Sequence, residues 1–280
     1  MHPLRPDHPF STRLTQLEHT ACKSMPTASV TYSRLRSQVI ALALSGRLFA
    51  LNDAELLELF QGSIDRFALI AWHLRDHQRV VDCGAGRGML CAVLKHLGHD
   101  VQAADLFERN DLILQHGIPF QNLNLEHDPL PFADGSFDAV TCCQVLEHFT
   151  HSHLPTVREF HRILRPGGLC EIDVPNVASF RNRSRLLRGK NITWDYEKHY
   201  LLAKPVVYKG REFYPDRHNR EFTRDELALL LNRAGFKQVQ VSRICSRRYR
   251  LGWARIKSVG SCLRDLVPGW RKTLFAIAVR

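Results

Sequence analysis

Apolar and polar positions along residues 79–180 follow a rhythm that switches between the strand and helix periods. Val80–Cys83 is a short apolar run suited to a buried strand, and Met89–Leu97 carries its apolar residues at helical spacing. Val101–Ala104 predicts a second strand, Leu106–His116 a helix and Ile118–Asn122 a third strand. Phe137–Cys142 follows the turn pair Asp134-Gly135 and predicts a fourth strand. Leu154–Leu164 predicts a helix stopped by Arg165-Pro166-Gly167-Gly168, with a fifth strand over Leu169–Val174. Upstream, Asp53–Leu74 reads as a helix with Asp53 as its N-cap. Downstream, Thr223–Ala234 reads as a capped helix closed by Gly235, then a strand over Gln238–Ile244 and a last apolar run, Leu274–Val279.

Strands alternating with helices at this spacing predict an α/β fold, a doubly wound, mostly parallel sheet with helices on both faces. Residues 51–280 are expected to form the folded domain, and residues 1–50 an N-terminal extension that is partly disordered or helical, with Met25 an alternative start. Between about 177 and 222 the periodicity fades into an aromatic and basic insertion, expected to be an irregular loop that serves binding.

Composition narrows the classes. The chain has 280 residues, 44% of them hydrophobic, enough for a substantial core. The apolar run Val39–Leu51 is broken by Ser45, Gly46 and Arg47 and is too short to span a bilayer, which takes about 20 apolar residues. Eight cysteines contain no C-x-x-C pair, so reduced thiols in a cytoplasmic protein are expected and no metal site is assigned. The charge is split. Residues 80–180 hold six Lys and Arg against thirteen Asp and Glu, whereas residues 181–280 hold twenty-four against eight. A basic second half favours an anionic client or a membrane surface, with nucleic acid as the lesser choice.

The chemistry begins at VVDCGAGRGML, Val80–Leu90. Gly84, Gly86 and Gly88 leave the first strand and enter the first helix, where bare backbone can lie against a ligand. The pattern is G-x-G-x-G. A dinucleotide fingerprint would need its third glycine at Met89, and no G-K-[ST] follows for a P-loop. Asp105, nineteen residues after Gly86 at the end of the second strand, is placed to take two ribose hydroxyls. Asp82 adds negative charge that suits a sulfonium or an ammonium better than a pyrophosphate.

With these segments in order, the sequence resembles the class I S-adenosylmethionine-dependent methyltransferases, in particular the quinone-biosynthesis-like group (methyltransferase type 11). VVDCGAGRGML is similar to the first motif of that family and VQAADL to the acidic end of its second strand. NLNLEHDPLPFADGSFDAVTCCQVLEHF, HRILRPGGLCEIDVPN, HNREFTRDELALLLNRAGF and LFAIAVR resemble its later segments. The resemblance covers about residues 64–280. It implies a seven-stranded Rossmann-like sheet with an antiparallel last strand, and S-adenosyl-L-methionine as cofactor with S-adenosyl-L-homocysteine as product. It implies that Asp82, Gly84, Gly86 and Gly88 line the methionine end, and that Asp105 holds the ribose with Leu106 beside the adenine. Asn124 and Leu125 would meet the adenine, Asn124 accepting from its amino group through the amide oxygen, and Gln144 would face the methionine moiety.

Glu147 and His148 lie just past the fourth strand, where acceptor and methyl should meet, and His148 is the candidate base if a hydroxyl must lose its proton. His151 and His153 lie close by, but their spacing fits no common zinc site. Cys142 and Cys143 lack the preceding proline of a thiol-nucleophile motif. Within the insertion, Trp194, Tyr196, His199 and Tyr200 are candidate acceptor contacts, and the basic stretch Arg243–Lys257 is a candidate contact with an anionic membrane surface. The expected function is methyl transfer to a small-molecule acceptor, at an oxygen of an anionic, glycan-linked or lipid-linked compound. An RNA methyltransferase and a nucleotide-binding Rossmann oxidoreductase are the alternatives.

Overall fold

The computed structural model describes residues 27–50, 53–108, 111–193, 195–244 and 265–280. Trp194, most of the expected N-terminal extension and most of the basic stretch after Arg243 lie outside the described residues.

Seven strands build one sheet: β1 (Arg79–Cys83), β2 (Asp100–Asp105), β3 (Phe120–Asn122), β4 (Phe137–Cys143), β5 (Leu164–Pro175), β8 (Lys237–Ile244) and β9 (Thr273–Val279). Two short strands, β6 (Val206–Tyr208) and β7 (Arg211–Phe213), form a separate hairpin. The helices are α1 (Thr27–Leu44), α2 (Ala54–Leu74), α3 (Met89–His96), α4 (Asp111–Gln115), α5 (Leu154–Ile163), α6 (Phe180–Leu186) and α7 (Arg224–Ala234). The strand order is β3-β2-β1-β4-β5-β9-β8. β9 pairs antiparallel with both neighbours and alone runs against the rest, as the family resemblance implied. The chain winds outward from β1 to β3 and then returns to place β4 beside β1. Strand order reverses there, so the carboxyl ends of β1 and β4 open a crevice, the usual ligand position of such sheets.

Strand alternation divides the core. Val80, Ala103 and Ala139 face a cluster closed by α1, α2 and α3, including Phe49, Phe60 and Leu74, all buried. Val81, Val140 and Ile172 face the opposite cluster with Phe160 of α5 and Leu231 of α7. Each Val, Leu, Ile or Phe among these contributes about 1.5–3 kcal/mol on full burial. Five cysteines of the described residues are free thiols, four of them buried. Among the described residues, no helix is long and apolar enough to cross a membrane.

Most expected elements appear within a residue or two of their expected bounds, and three departures have local causes. The helix expected from Leu106 shortens to α4, because Asn122 Nδ2 donates to the carbonyls of Leu106 (2.9 Å) and Phe107 (3.0 Å) and holds that segment off the helix. β5 begins directly at Leu164 and carries the Arg-Pro-Gly-Gly turn residues within it, with a register shift opposite Phe137–Ala139. The insertion is structured: Ser179 caps α6, residues Glu197–Leu201 form a π-helical turn, and Lys209 (φ 49°) with Gly210 (φ 75°) closes the β6–β7 hairpin.

α7 carries a capping box in which Thr223 and Glu226 exchange side-chain and backbone hydrogen bonds. Thr223→Ala is expected to cost about 1 kcal/mol in denaturant unfolding while Thr223→Ser retains wild-type stability. Equal stability of the Ala and Ser variants would contradict the assignment.

Candidate active site

The three glycines do different work. Gly84 (φ 88°) turns off β1, its N–H donating to the Ala104 carbonyl at 2.7 Å, and a Cβ there would sit 2.1 Å from Val145 Cγ2. Gly86 (φ 52°) donates its N–H to Asp105 Oδ2 at 2.7 Å, and the position a Cβ would take is open space. Gly88 (φ 76°) opens α3. The Asp105 carboxylate also accepts from the Phe107 N–H at 3.0 Å, and burial raises its pKa against the bonds from the Phe107, Gly86 and Leu106 backbone. Two oxygens with about four acceptor positions leave room for further hydroxyl donors. The bare surface above Gly86 and the carboxylate beside it therefore fit an adenosyl ligand with a ribose diol.

Asp82 serves the frame. Its Oδ1 accepts from Thr141 Oγ1 at 2.7 Å and its Oδ2 lies 3.3 Å from Cys91 Sγ, tying β1 to β4 and α3. Burial pushes its pKa up to about 6. Asn124 is buried just beyond β3, and its amide oxygen accepts the Glu126 N–H at 2.9 Å. A carbonyl oxygen has two acceptor positions, so one remains for the adenine amino group expected there. Leu125 packs into the second core cluster, and Leu106 is half-buried at the end of β2.

Past β4 the backbone enters the left-handed region at Gln144 (φ 57°), a conformation that costs a non-glycine residue on the order of 1 kcal/mol and is concentrated at functional sites. It is held by Asp173 of β5. The Gln144 N–H donates to the Asp173 carbonyl at 2.8 Å and Gln144 Nε2 to Asp173 Oδ1 at 2.5 Å. Arg66 of α2 reaches the same Oδ1 at 3.2 Å. Glu147 is fully buried and neither carboxylate oxygen has a hydrogen-bond partner, so burial raises its pKa well above the usual carboxylate range.

His148 is half-buried, its Nδ1 lying 3.0 Å from the Arg217 carbonyl. Nδ1 therefore carries the proton and Nε2 the lone pair. Burial lowers its pKa and keeps the ring neutral at pH 7. The His218 ring stands edge-on 4.8 Å away, its own pKa lowered to about 4 by burial and by His148. Residues 217–220 are fastened to this turn: the Asn219 N–H donates to the Glu147 carbonyl at 2.8 Å and Asn219 Nδ2 to the His148 carbonyl at 2.7 Å. Arg217 Nε donates to the His199 carbonyl, its guanidinium lies 3.7 Å from the centre of the Tyr214 ring, and Tyr200 Oη donates to the His218 carbonyl. Tyr196 stacks on Tyr200 with 65% of its surface exposed. Of the four expected acceptor contacts, His199 and Tyr200 thus reach the segment that covers Glu147 and His148.

The histidines next in sequence go elsewhere. His151 and the Thr150 N–H both engage Glu126, and His153 Nε2 lies 2.9 Å from the Leu146 carbonyl. Cys142 and Cys143 have pKa values raised well above the usual thiol range by burial, so neither is a nucleophile. Arg66, Asp173, Arg217 and His218 were missed in the sequence. Asp173 had a signal, an acid at the end of a predicted strand; His218, seventy positions from His148, had none.

A doubly wound sheet of this order, with a G-x-G-x-G turn at the switch point and an acid closing β2, defines a class I S-adenosylmethionine-dependent methyltransferase. The model of a family described as a methyltransferase domain matches residues 53–241, and the chain belongs to that family. Among curated relatives, the ubiquinone/menaquinone biosynthesis C-methyltransferase of Shewanella sediminis is 27% identical over 199 residues, 62% of this chain and 72% of that one. The ubiquinone biosynthesis O-methyltransferase of Albidiferax ferrireducens is 33% identical over 98 residues, 32% of this chain and 38% of that one. Among solved structures, the fold is similar to that of 1,6-didemethyltoxoflavin-N1-methyltransferase from Burkholderia thailandensis, with TM-score 0.50, 21% identity and 92% of each chain covered.

The Asp82 carboxyl gives a test of the frame. Its native pKa lies above the unfolded value near 4, so its contribution stabilises at low pH and is lost as pH rises through about 4 to 6. Asp82→Asn removes that loss. Denaturant unfolding should show the stability difference between variant and wild type moving in the variant's favour by about 2 kcal/mol from pH 4 to pH 7. A difference independent of pH would contradict it.

Proposed function

We propose that the protein methylates an oxygen of a small-molecule acceptor, bound between the turn after β4 and the insertion. The observation that carries this reading is the neutral His148, with its tautomer set by the Arg217 carbonyl and its ring beside the unpartnered Glu147 carboxyl and His218. Polar groups of this kind serve an acceptor whose hydroxyl must lose a proton; an enolic carbon or a free amine would need them less. S-adenosylmethionine, when bound, supplies a methyl group already activated on a sulfonium. What the chain supplies is alignment and a polar enclosure. Gly84, Gly86 and Gly88 keep the crevice floor open, Asp105 takes the ribose hydroxyls, and Gln144 is fixed by Asp173 on the methionine side.

The acceptor's class follows from the insertion. His199 and Tyr200 hold residues 217–218 over the site, and Tyr196 adds an exposed ring on which a planar acceptor can stack. Lys and Arg throughout residues 181–224 favour an acceptor with an acidic group, glycan-linked or lipid-linked. Of the relatives, the ubiquinone biosynthesis O-methyltransferase accords with an oxygen acceptor, whereas the other is named for methylation of carbon.

The reading is tested by calorimetric titration with S-adenosylhomocysteine, followed by methyl-transfer assays on phenolic, glycan and lipid-linked hydroxyl compounds. Asp105→Ala should weaken S-adenosylhomocysteine binding by about 10- to 100-fold, the value of hydrogen bonds to a charged group. Undiminished binding in that variant, or methylation of amines and carbon acids but of no hydroxyl compound, would overturn it.

A further inference from the structure

We propose that Glu147, His148 and His218 hold one divalent cation of the zinc or manganese class, placed to receive the acceptor oxygen. Each of the three offers a donor atom, and these atoms lie within 4.8 Å of one another. Donors about 2.1 Å from a tetrahedral zinc stand roughly 3.4 Å apart, so the set contracts by about 1 Å or a little more to hold the ion.

Two further observations point to a ligand. Glu147 has no exposed surface and neither carboxylate oxygen has a partner, and His218 Nδ1 is likewise buried without one. Buried polar atoms are ordinarily satisfied, and two such side chains beside each other are a rare arrangement unless something binds between them. The third member is already oriented. The Nδ1–H of His148 is spent on the Arg217 carbonyl, which is how a metal-ligating imidazole is usually held.

The donor chemistry selects the ion. Two imidazoles and one carboxylate suit zinc or manganese, whereas magnesium and calcium take all-oxygen sets. Three protein ligands leave at least one position open, the pattern of catalytic sites. The second cluster of the same kind, Glu126, His127 and His151, lacks these marks: His127 and His151 are exposed and Glu126 Oε1 is taken by Thr150 and His151.

This inference rests on the proposed function and sharpens it. The acceptor hydroxyl loses its proton to solvent water once its oxygen meets the cation. That oxygen's electron pair then forms the bond to the methyl carbon, and the carbon–sulfur pair departs with the sulfur as a neutral thioether. His148 acts as a ligand and the cation replaces it as the group that lowers the hydroxyl's pKa. The cation also ties the insertion, through His218, to the turn after β4.

Tag-free, chelator-treated protein titrated separately with zinc and manganese ions tests this. One equivalent should bind per chain, and Glu147→Gln and His218→Ala should each weaken binding at least 10-fold, while His151→Ala, in the second cluster, leaves it unchanged. No stoichiometric binding to the wild type, or binding retained in both Glu147→Gln and His218→Ala, overturns the proposal. S-adenosylhomocysteine titrated into the same samples separates the failures: intact binding there with no metal binding removes the cation alone. Loss of both removes the proposed methylation at this site as well.

Discussion

The approach of Gly84 to Val145 is the constraint on which the crevice depends. The chain leaves β1 and β4 side by side, and the two exits pack so closely that one Cβ at Gly84 would lie 2.1 Å from Val145 Cγ2. Only glycine fits, and its positive φ sends the chain toward the end of β2, where Gly86 meets Asp105. On the other side of the contact, Val145 follows the left-handed Gln144, and the turn it begins carries Glu147 and His148. One close approach thus ties the glycine turn and Asp105 to the turn that carries Glu147 and His148.

Charge explains the rest of the arrangement. Asp82, Asp105, Glu147, Glu171 and Asp173 are all buried near the carboxyl ends of the strands or along them, with Arg66 reaching Asp173. Burial raises the pKa of Asp82, Asp105, Glu147 and Glu171 and so favours their neutral forms. The uneven charge along the sequence thus sets an acidic run over residues 80–180 apart from the basic residues that follow it.

The strands, the helix caps at Asp53 and Thr223, the glycine turn and Asp105 were all legible in the sequence, because each is fixed by neighbours within a few residues or by period. Elements ruled by distant partners were not. The segment after Asp105 loses its helix to Asn122. The insertion's structure rests on a cap, a two-residue turn and the Arg217 clamp, none of which leaves a hydrophobic period to read. His218 is the sharpest case: its meeting with Glu147 and His148 is created by the return of a forty-residue excursion, which local spacing cannot encode.

The central claim is that the glycine turn and the β4 turn face one bound adenosyl group from its two ends. A crystal structure with S-adenosylhomocysteine measures this directly. The account predicts ribose hydroxyls on Asp105, the thioether chain over Gly84 and Gly86, and sulfur turned toward Glu147, His148 and His218. A ligand seated away from the glycine turn, or with its sulfur turned from that group, would contradict it.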